Sequence, residues 1–282
     1  MQGPSAGQRS RRWRAGGAAS VLVALVVAAT GISAQVGGYR MRGLPMATAD
    51  TYDGAFQFCR VLFRGIRGGD GGGWSTDYPD ADLNLSTRLG ELTKTSISVD
   101  VRTGDPNHVI VPITDPMLFR CPFLMMFEVG NLYLDDQEAA TLRAYLLKGG
   151  FLWVDDFWGP YAWSIWESQI RKALPSGEFK IEDLPLDHAV FHQVFGVSKI
   201  PQIPSINYWL GTGDTSERGA ASRPPHVRGI SDARGRLMVL MTHNTDFGDS
   251  WEREGVSNDY FLAFSVEGYA FGVNVLVHAM TH

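Results

Sequence analysis

Apolar residues along this chain gather in short strand-like runs, set between stretches of helical spacing and long polar loops. Residues 56–63 make the first run, 123–129 the second (interrupted only by Glu128), then 151–154 and 237–242. Such runs, apolar at nearly every position, predict strands buried on both faces, as in a parallel sheet. Weaker strand signals lie at 96–101, which alternates, at 109–113, which Pro112 interrupts, and at 179–184. Helical spacing joins Leu83, Leu85, Leu89 and Leu92, and it is clearest over 135–148. There Asp135 and Glu138 have the spacing of a capping box, Ala139, Leu142, Tyr145 and Leu146 share a face, and Gly149 can close the helix in a left-handed turn. Residues 161–174 place Trp163, Trp166 and Ile170 on one face before Pro175 stops the helix. A short helix or turn is expected at 187–195, an exposed loop at 211–225 and a long, largely buried helix at 258–282. Apolar strand, capped helix, apolar strand is a βαβ unit, so 56–282 reads as a single α/β domain with a mainly parallel sheet and no internal repeat.

The first 34 residues have the order of an export signal: Arg9, Arg11, Arg12 and Arg14, an apolar stretch over 15–32, then Ile32-Ser33-Ala34 as a small-residue cleavage site. A retained membrane anchor is the rival reading, although the most apolar part, 21–29, is short of the ~20 residues a span needs. The Arg11-Arg12 pair matches a twin-arginine signal only in those two residues. Residues 35–55 have no period and read as a loose leader. Loss of 1–34 removes four arginines and no acid, taking the formal net charge from −5 to −9. A domain that acidic is not expected to bind nucleic acid, and any membrane contact is expected only through an uncleaved N-terminal segment. Localisation is therefore expected outside the cytoplasm, periplasmic or in the cell envelope. Cys59 and Cys121 are the only cysteines; they either pair, as export would allow, or remain buried thiols.

Candidate chemistry gathers at the carboxyl ends of the expected strands, where ligands bind in open parallel sheets. Glu128 follows one run, Asp155 and Asp156 another, and His243, Asn244 and Asp246 a third. A Gly-rich loop, 64–82, follows the first and carries Trp74, Asp77 and Tyr78, residue types suited to sugar or peptide contacts. Asp155, Asp156, Glu128, His188 and His243 are the candidate catalytic residues; Trp74, Asp77, Tyr78, Asp155, Asp156 and Asn244 are the candidate ligand contacts. Acidic residues at strand ends also cap helices and close turns, and Asp156 fits that role equally. His188 and His192 are spaced four apart, as are His278 and His282, but neither pair carries HExxH. No cofactor and no metal is assigned. A hard cation on Asp155, Asp156 and Glu128 is chemically allowed but not indicated by the sequence. The loop motif GGDGGG lacks the GxxxxGK[ST] of a phosphate loop, and no GxSxG elbow occurs.

Several stretches together resemble the bacterial family catalogued as domain of unknown function 4159: FRGIRGGDGGGWSTDYP (63–79), TDPMLFRCPFLMMFEVG (114–130), LDDQEAATLRAYLLKGGFLWVDDFWG (134–159), LPLDHAVFH (184–192) and YAFGVNVLVHAM (269–280). The resemblance spans nearly all of 56–282. It implies a fold similar to class I glutamine amidotransferases, a flavodoxin-like three-layer α/β sandwich. Catalytic relatives of that fold place a Cys on a sharp turn after a strand, paired with a His. The corresponding turn here is either Glu128-Val129-Gly130 or Asp155-Asp156-Phe157, and neither offers Cys or Ser. The resemblance supplies no activity and no catalytic residue.

The sequence therefore predicts an exported α/β domain of the cell envelope that binds an unidentified small-molecule or protein partner and is not an amidotransferase. One alternative is a hydrolase of carbohydrate or peptide, with Asp155 or Asp156 as base, His188 or His243 as its partner and Glu128 as second carboxylate. Another is a scaffold in an envelope complex.

Overall fold

The computed structural model describes residues 43–282; the expected export signal and residues 35–42 of the leader lie outside the described residues. The strands are β1 (Phe58–Leu62), β2 (Arg64–Gly65), β3 (His108–Pro112), β4 (Phe123–Phe127), β5 (Leu132–Tyr133), β6 (Phe151–Phe157), β7 (Glu182–Asp183), β8 (His226–Ser231) and β9 (Leu237–His243). Seven of them form one sheet in the order β3-β1-β4-β6-β9-β8-β7, and β2 pairs with β5 as a small separate ribbon. The five strands from β3 to β9 run parallel, while β8 and β7 are added antiparallel. The chain steps from β1 outward to β3 and then returns to β4 on the other side of β1. The strand order reverses there, which in such sheets opens a crevice at the carboxyl ends.

The helices are α1 (Asp80–Leu92), α2 (Asp136–Leu147), α3 (Gly159–Ala173), α4 (Ile206–Thr212), α5 (Phe247–Glu252), α6 (Asn258–Tyr260) and α7 (Val266–Thr281). They cover both faces of the sheet, which explains the uniformly apolar strands: every residue of β4, β6 and β9 is buried. Side chains alternate across a strand. Leu124, Met126, Leu152 and Val154 face α2 and α3, while Phe123, Met125, Phe151 and Trp153 face α1, α5 and α7. Trp153 lies at the centre of the second layer, with ring centroids 5.4–5.8 Å from Trp251, Phe247 and Phe271 and its indole N–H donated to Thr242 Oγ1 at 2.8 Å.

Helix α2 matches its sequence signature closely. Asp135 accepts from the Glu138 backbone at 2.8 Å, Glu138 accepts from the Asp135 backbone at 2.8 Å, and Gly149 takes φ 112° just past the end. The C-terminal helix runs from Asn258 to Thr281 with a π-helical turn at Phe261–Ser265. It is the one helix among the described residues long and apolar enough to cross a membrane, yet it packs in the core layer beside α1 and α5.

Several expectations are corrected. Residues 96–101 make only single bridges, Ile97 to Phe56 and Val99 to Pro106, and Val101 is 97 % exposed, so no neighbouring strand completes a ladder. The strand expected over 179–184 shrinks to β7. Strand β8, too polar to be signalled by its own pattern, forms through its pairing with β9. The strand containing Asp155 and Asp156 extends through both residues. The loop 211–225 is not simply exposed, since Ser216 and Ser222 are fully buried and bonded at 2.9 Å. Residues 45–55 are held to the domain: the Ala47 and Ile110 backbones pair through the Ala47–Ile110 and Ile110–Pro45 bonds, and Tyr52 donates to Met117 O. Cys59 on β1 and Cys121 before β4 form a disulfide with Cα atoms 6.1 Å apart.

Candidate functional site

Among the described residues, four that are not glycine adopt left-handed backbone: Asp77 (φ 60°), Glu128 (φ 48°), Asp156 (φ 55°) and Asn244 (φ 62°). Glu128 and Asn244 directly follow β4 and β9, Asp156 sits at the irregularity near the end of β6, and Asp77 belongs to the loop that leaves β1. Each such residue costs on the order of 1 kcal/mol, and strained backbone of this kind clusters at functional sites.

Among the contacts that hold the Gly-rich loop in place, two devices use buried or half-buried charge. Arg60, fully buried in the middle of β1, donates to both oxygens of Asp82 at 3.1 and 3.0 Å and sends Nη1 to the carbonyls of Trp74 (3.0 Å) and Thr76 (2.7 Å). Its guanidinium lies 4.3 Å from the centre of the Phe127 ring. This fixes the backbone immediately before Asp77. Glu128 is the second device. Its Oε2 accepts from Gly72 N, from Gly73 N at 2.9 Å and from Thr76 Oγ1 at 2.8 Å. A Cβ on Gly71 or Gly72 would lie 2.9 Å from this carboxylate, so glycine is required there for close approach.

Beyond these devices the strand tips bring carboxylates together. Asp77, Asp156 and Asp246 each offer an oxygen, and the three oxygens lie within 4.8 Å of one another. Asp156 is 7 % exposed and accepts from the Trp158 indole at 2.8 Å. Asp246 is 3 % exposed and caps α5 by accepting from Asp249 N at 2.7 Å. Asp77 as a residue is partly exposed, but its Oδ2 is buried with no hydrogen-bond partner. Gly248 makes room for it, since a Cβ there would come within 2.1 Å of that oxygen. Burial first, and repulsion among neighbouring acids second, raise all three carboxyls well above the usual range. Two full charges at this separation repel by ~3 kcal/mol at an effective dielectric near 20. Among the described residues no Lys, Arg or His forms an ion pair with any of the three.

The sequence profile described as domain of unknown function (DUF4159) matches residues 58–280. The chain belongs to this family. No curated protein matches it. The profile covers all of the strand-tip elements of this DUF4159 domain, from β1 to α5.

The site residues expected from the sequence are distributed unevenly. Asp155 is fully buried and fully used: Oδ1 accepts from Thr242 Oγ1 at 2.5 Å and Oδ2 from Gly248 N at 3.1 Å, which ties β6 to β9 and α5. Burial pushes its carboxyl up to about 7. Asp156 and Asp77 join the cluster; Glu128 clasps the loop instead. Hence Asp155, Asp156 and Glu128 are not the trio that a cation would use. Trp74 packs against the core, and Tyr78 is bonded through its hydroxyl to His108 Nε2 at 2.9 Å, so neither is directed with Asp77 into the cluster.

The two candidate histidines are not partners of Asp155. His188 lies 5.8 Å, ring centre to ring centre, from His278, which itself lies against Phe151, the first residue of β6, so it belongs to the amino end of the sheet. On β9, Thr242 turns toward Asp155 and His243 toward the opposite face, against Phe157 and Trp163, with Nε2 3.1 Å from Gly159 O. Burial, above all, lowers His243 to about 4. With Asn244, His243 lines a separate cavity of about 540 Å³ beside Trp163 and Arg228. Asn244 accepts from Gly159 N at 2.7 Å and donates to Pro224 O at 2.9 Å.

Asp246 was placed at a strand tip by the sequence but given no catalytic or ligand role, and Arg60 was not among the expected site residues. Arg60 did carry a signal: a charge in the middle of an apolar strand is almost never buried without a dedicated partner.

Proposed function

We propose that this DUF4159 domain is an exported, non-amidotransferase binding protein of the class I glutamine amidotransferase-like, flavodoxin-like fold, and that it takes a polar ligand at the acidic crevice on the carboxyl ends of β4, β6 and β9. The observation that carries the reading is the convergence of Asp77, Asp156 and Asp246 at the carboxyl end of the parallel sheet, with Asp156, Asp246 and the Oδ2 of Asp77 buried and no ion pair to any of the three among the described residues. Support for the fold comes from the left-handed residue Glu128, which follows β4 as a nucleophile elbow follows its strand, and from the left-handed Asp156 at the irregularity near the end of β6. Support for a non-amidotransferase role comes from those same turns, which present carboxylates, and from the cysteines, both of which are consumed in the disulfide. The disulfide also favours an oxidising compartment. Binding is preferred to hydrolysis because neither His188 nor His243 is hydrogen-bonded to Asp155 or Asp156.

The test is a thermal-shift comparison of the full-length protein and Asp156→Asn against a panel of sugars, peptides and small polar metabolites. A ligand selective for the folded state raises the melting temperature by mass action. The expected result is a shift in the wild type that is lost in Asp156→Asn. Equal shifts in both proteins would place the ligand elsewhere and overturn the reading.

A further inference from the structure

We infer that Asp77, Asp156 and Asp246 hold a hard divalent cation of the Ca²⁺ or Mg²⁺ kind, an inference that rests on reading the acidic crevice as a ligand site. Two independent observations lead there. The first is placement: three carboxylate oxygens from three different elements lie within 4.8 Å of one another. Some point is then within about 2.8 Å of all three, against ~2.3–2.6 Å for Ca²⁺–O contacts and ~2.0–2.1 Å for Mg²⁺. Small side-chain movements close that gap, and Ca²⁺ needs the smaller ones.

The second observation is the state of Asp77. No hydrogen bond is made by its side chain among the described residues, and its inward oxygen is buried without a partner. Buried polar atoms are almost always paired, so one that is not calls for an ion, a water or a ligand. The chain does not let Asp77 relax away from the cluster. Arg60 pins the loop one residue earlier through Thr76 O, and the missing side chain of Gly248 leaves the space that Asp77 Oδ2 fills.

The donor set selects the kind of ion. It is all carboxylate oxygen, with no His or Cys, which suits hard cations and disfavours zinc or copper. In a neighbouring group, Asp77 with Asp249 and Glu252, a cation already stands beside two of the acids. Arg253 lies 2.6 Å from Glu252 and 3.7 Å from Asp249, and Asp249 also accepts from Ile206 N at 2.5 Å. Among the described residues, the trio with Asp156 and Asp246 has no Lys, Arg or His at ion-pair distance.

The experiment uses full-length protein stripped with chelator, titrated calorimetrically with CaCl₂ and with MgCl₂, beside Asp77→Asn and Asp246→Asn. Terbium provides a second readout, because the Trp158 indole bonded to Asp156 is placed to sensitise its emission. The account expects one ion per chain, binding at least about tenfold weaker in either variant, and terbium emission that falls with it. It also expects metal-free variants that melt no lower than the wild type. Asn retains a capping oxygen at 246, and Asp77 caps nothing with its side chain, so Asp77→Asn decides if Asp246→Asn folds poorly. No binding of Ca²⁺ or Mg²⁺ at millimolar concentration, or binding unchanged in both variants, overturns the inference. If no ion binds but a polar organic ligand gives an Asp156-dependent shift on the same stripped protein, the cation falls and the crevice reading stands.

Discussion

Two sets of buried charge lie along the same loop and differ in how they are answered. Arg60 and Asp82 are both fully buried and satisfy each other, with the spare guanidinium N–H groups spent on two loop carbonyls. Asp77, five residues before Asp82, meets Asp156 and Asp246 with no ion-pair partner among the described residues, and the Arg60 guanidinium acts on it only from beyond ion-pair distance. The first set is structure, since removing either member strands the other. The second raises the energy of the ligand-free fold and is understandable where something from outside completes it. Burial of charge does not by itself mark a site; burial without compensation does.

Arg60→Met is the strongest way to break this comparison. It leaves Asp82 unpaired and frees the loop, and is expected to cost about 3–5 kcal/mol in urea unfolding. A cost below ~1 kcal/mol would show that the pair is not the loop's staple. The adjacent cross-link ranks next. Replacing Cys59 and Cys121 together by Ala is expected to lower stability by about 2–4 kcal/mol, and a reducing agent should lower the wild type and leave the double variant unchanged. Glu128→Ala removes the acceptor of three loop donors and should cost about 1–3 kcal/mol, with faster proteolysis in the Gly-rich loop. Unchanged proteolysis would mean that the loop is held without Glu128.

The smallest effect lies at the other end of the sheet, in an uncharged buried group. His278 is held down to about 4, chiefly by burial and then by His282 and His188. Its neutral form is favoured in the fold, so its stabilising share is complete above the unfolded value near 6.5 and is lost as pH falls toward 4. His278→Gln should therefore lose up to ~1 kcal/mol less than wild type between pH 7 and pH 4.5. An identical acid loss in both proteins would remove His278 from the account.

The sequence was most readable where the signal was local. The cap, apolar face and stop of α2 all lie within 135–149, and all three are found. Parallel core strands were readable because burial on both faces leaves few polar positions. Strand β8 was not, because its residues are polar enough for a loop and its order comes from β9. At the site, the Asp155-Asp156 pair stood out, but neighbouring residues diverge at the irregularity in β6, and only the fold shows that Asp155 turns inward while Asp156 reaches the cluster. Asp246 was visible at a strand tip, but its meeting with Asp77 and Asp156 depends on the fold. The disulfide depended on a Cα separation that spacing along the chain does not supply.

The most direct measurement compares the chelator-stripped stabilities of Asp77→Asn and Asp82→Asn by urea unfolding at pH 7.5. The account predicts opposite signs: Asp82→Asn destabilises by about 3 kcal/mol or more because it strands Arg60, and Asp77→Asn leaves stability equal or raises it by ~1 kcal/mol because it removes a repelling acid. A comparable loss in both variants would contradict the claim, since it would make Asp77 a structural carboxylate like Asp82.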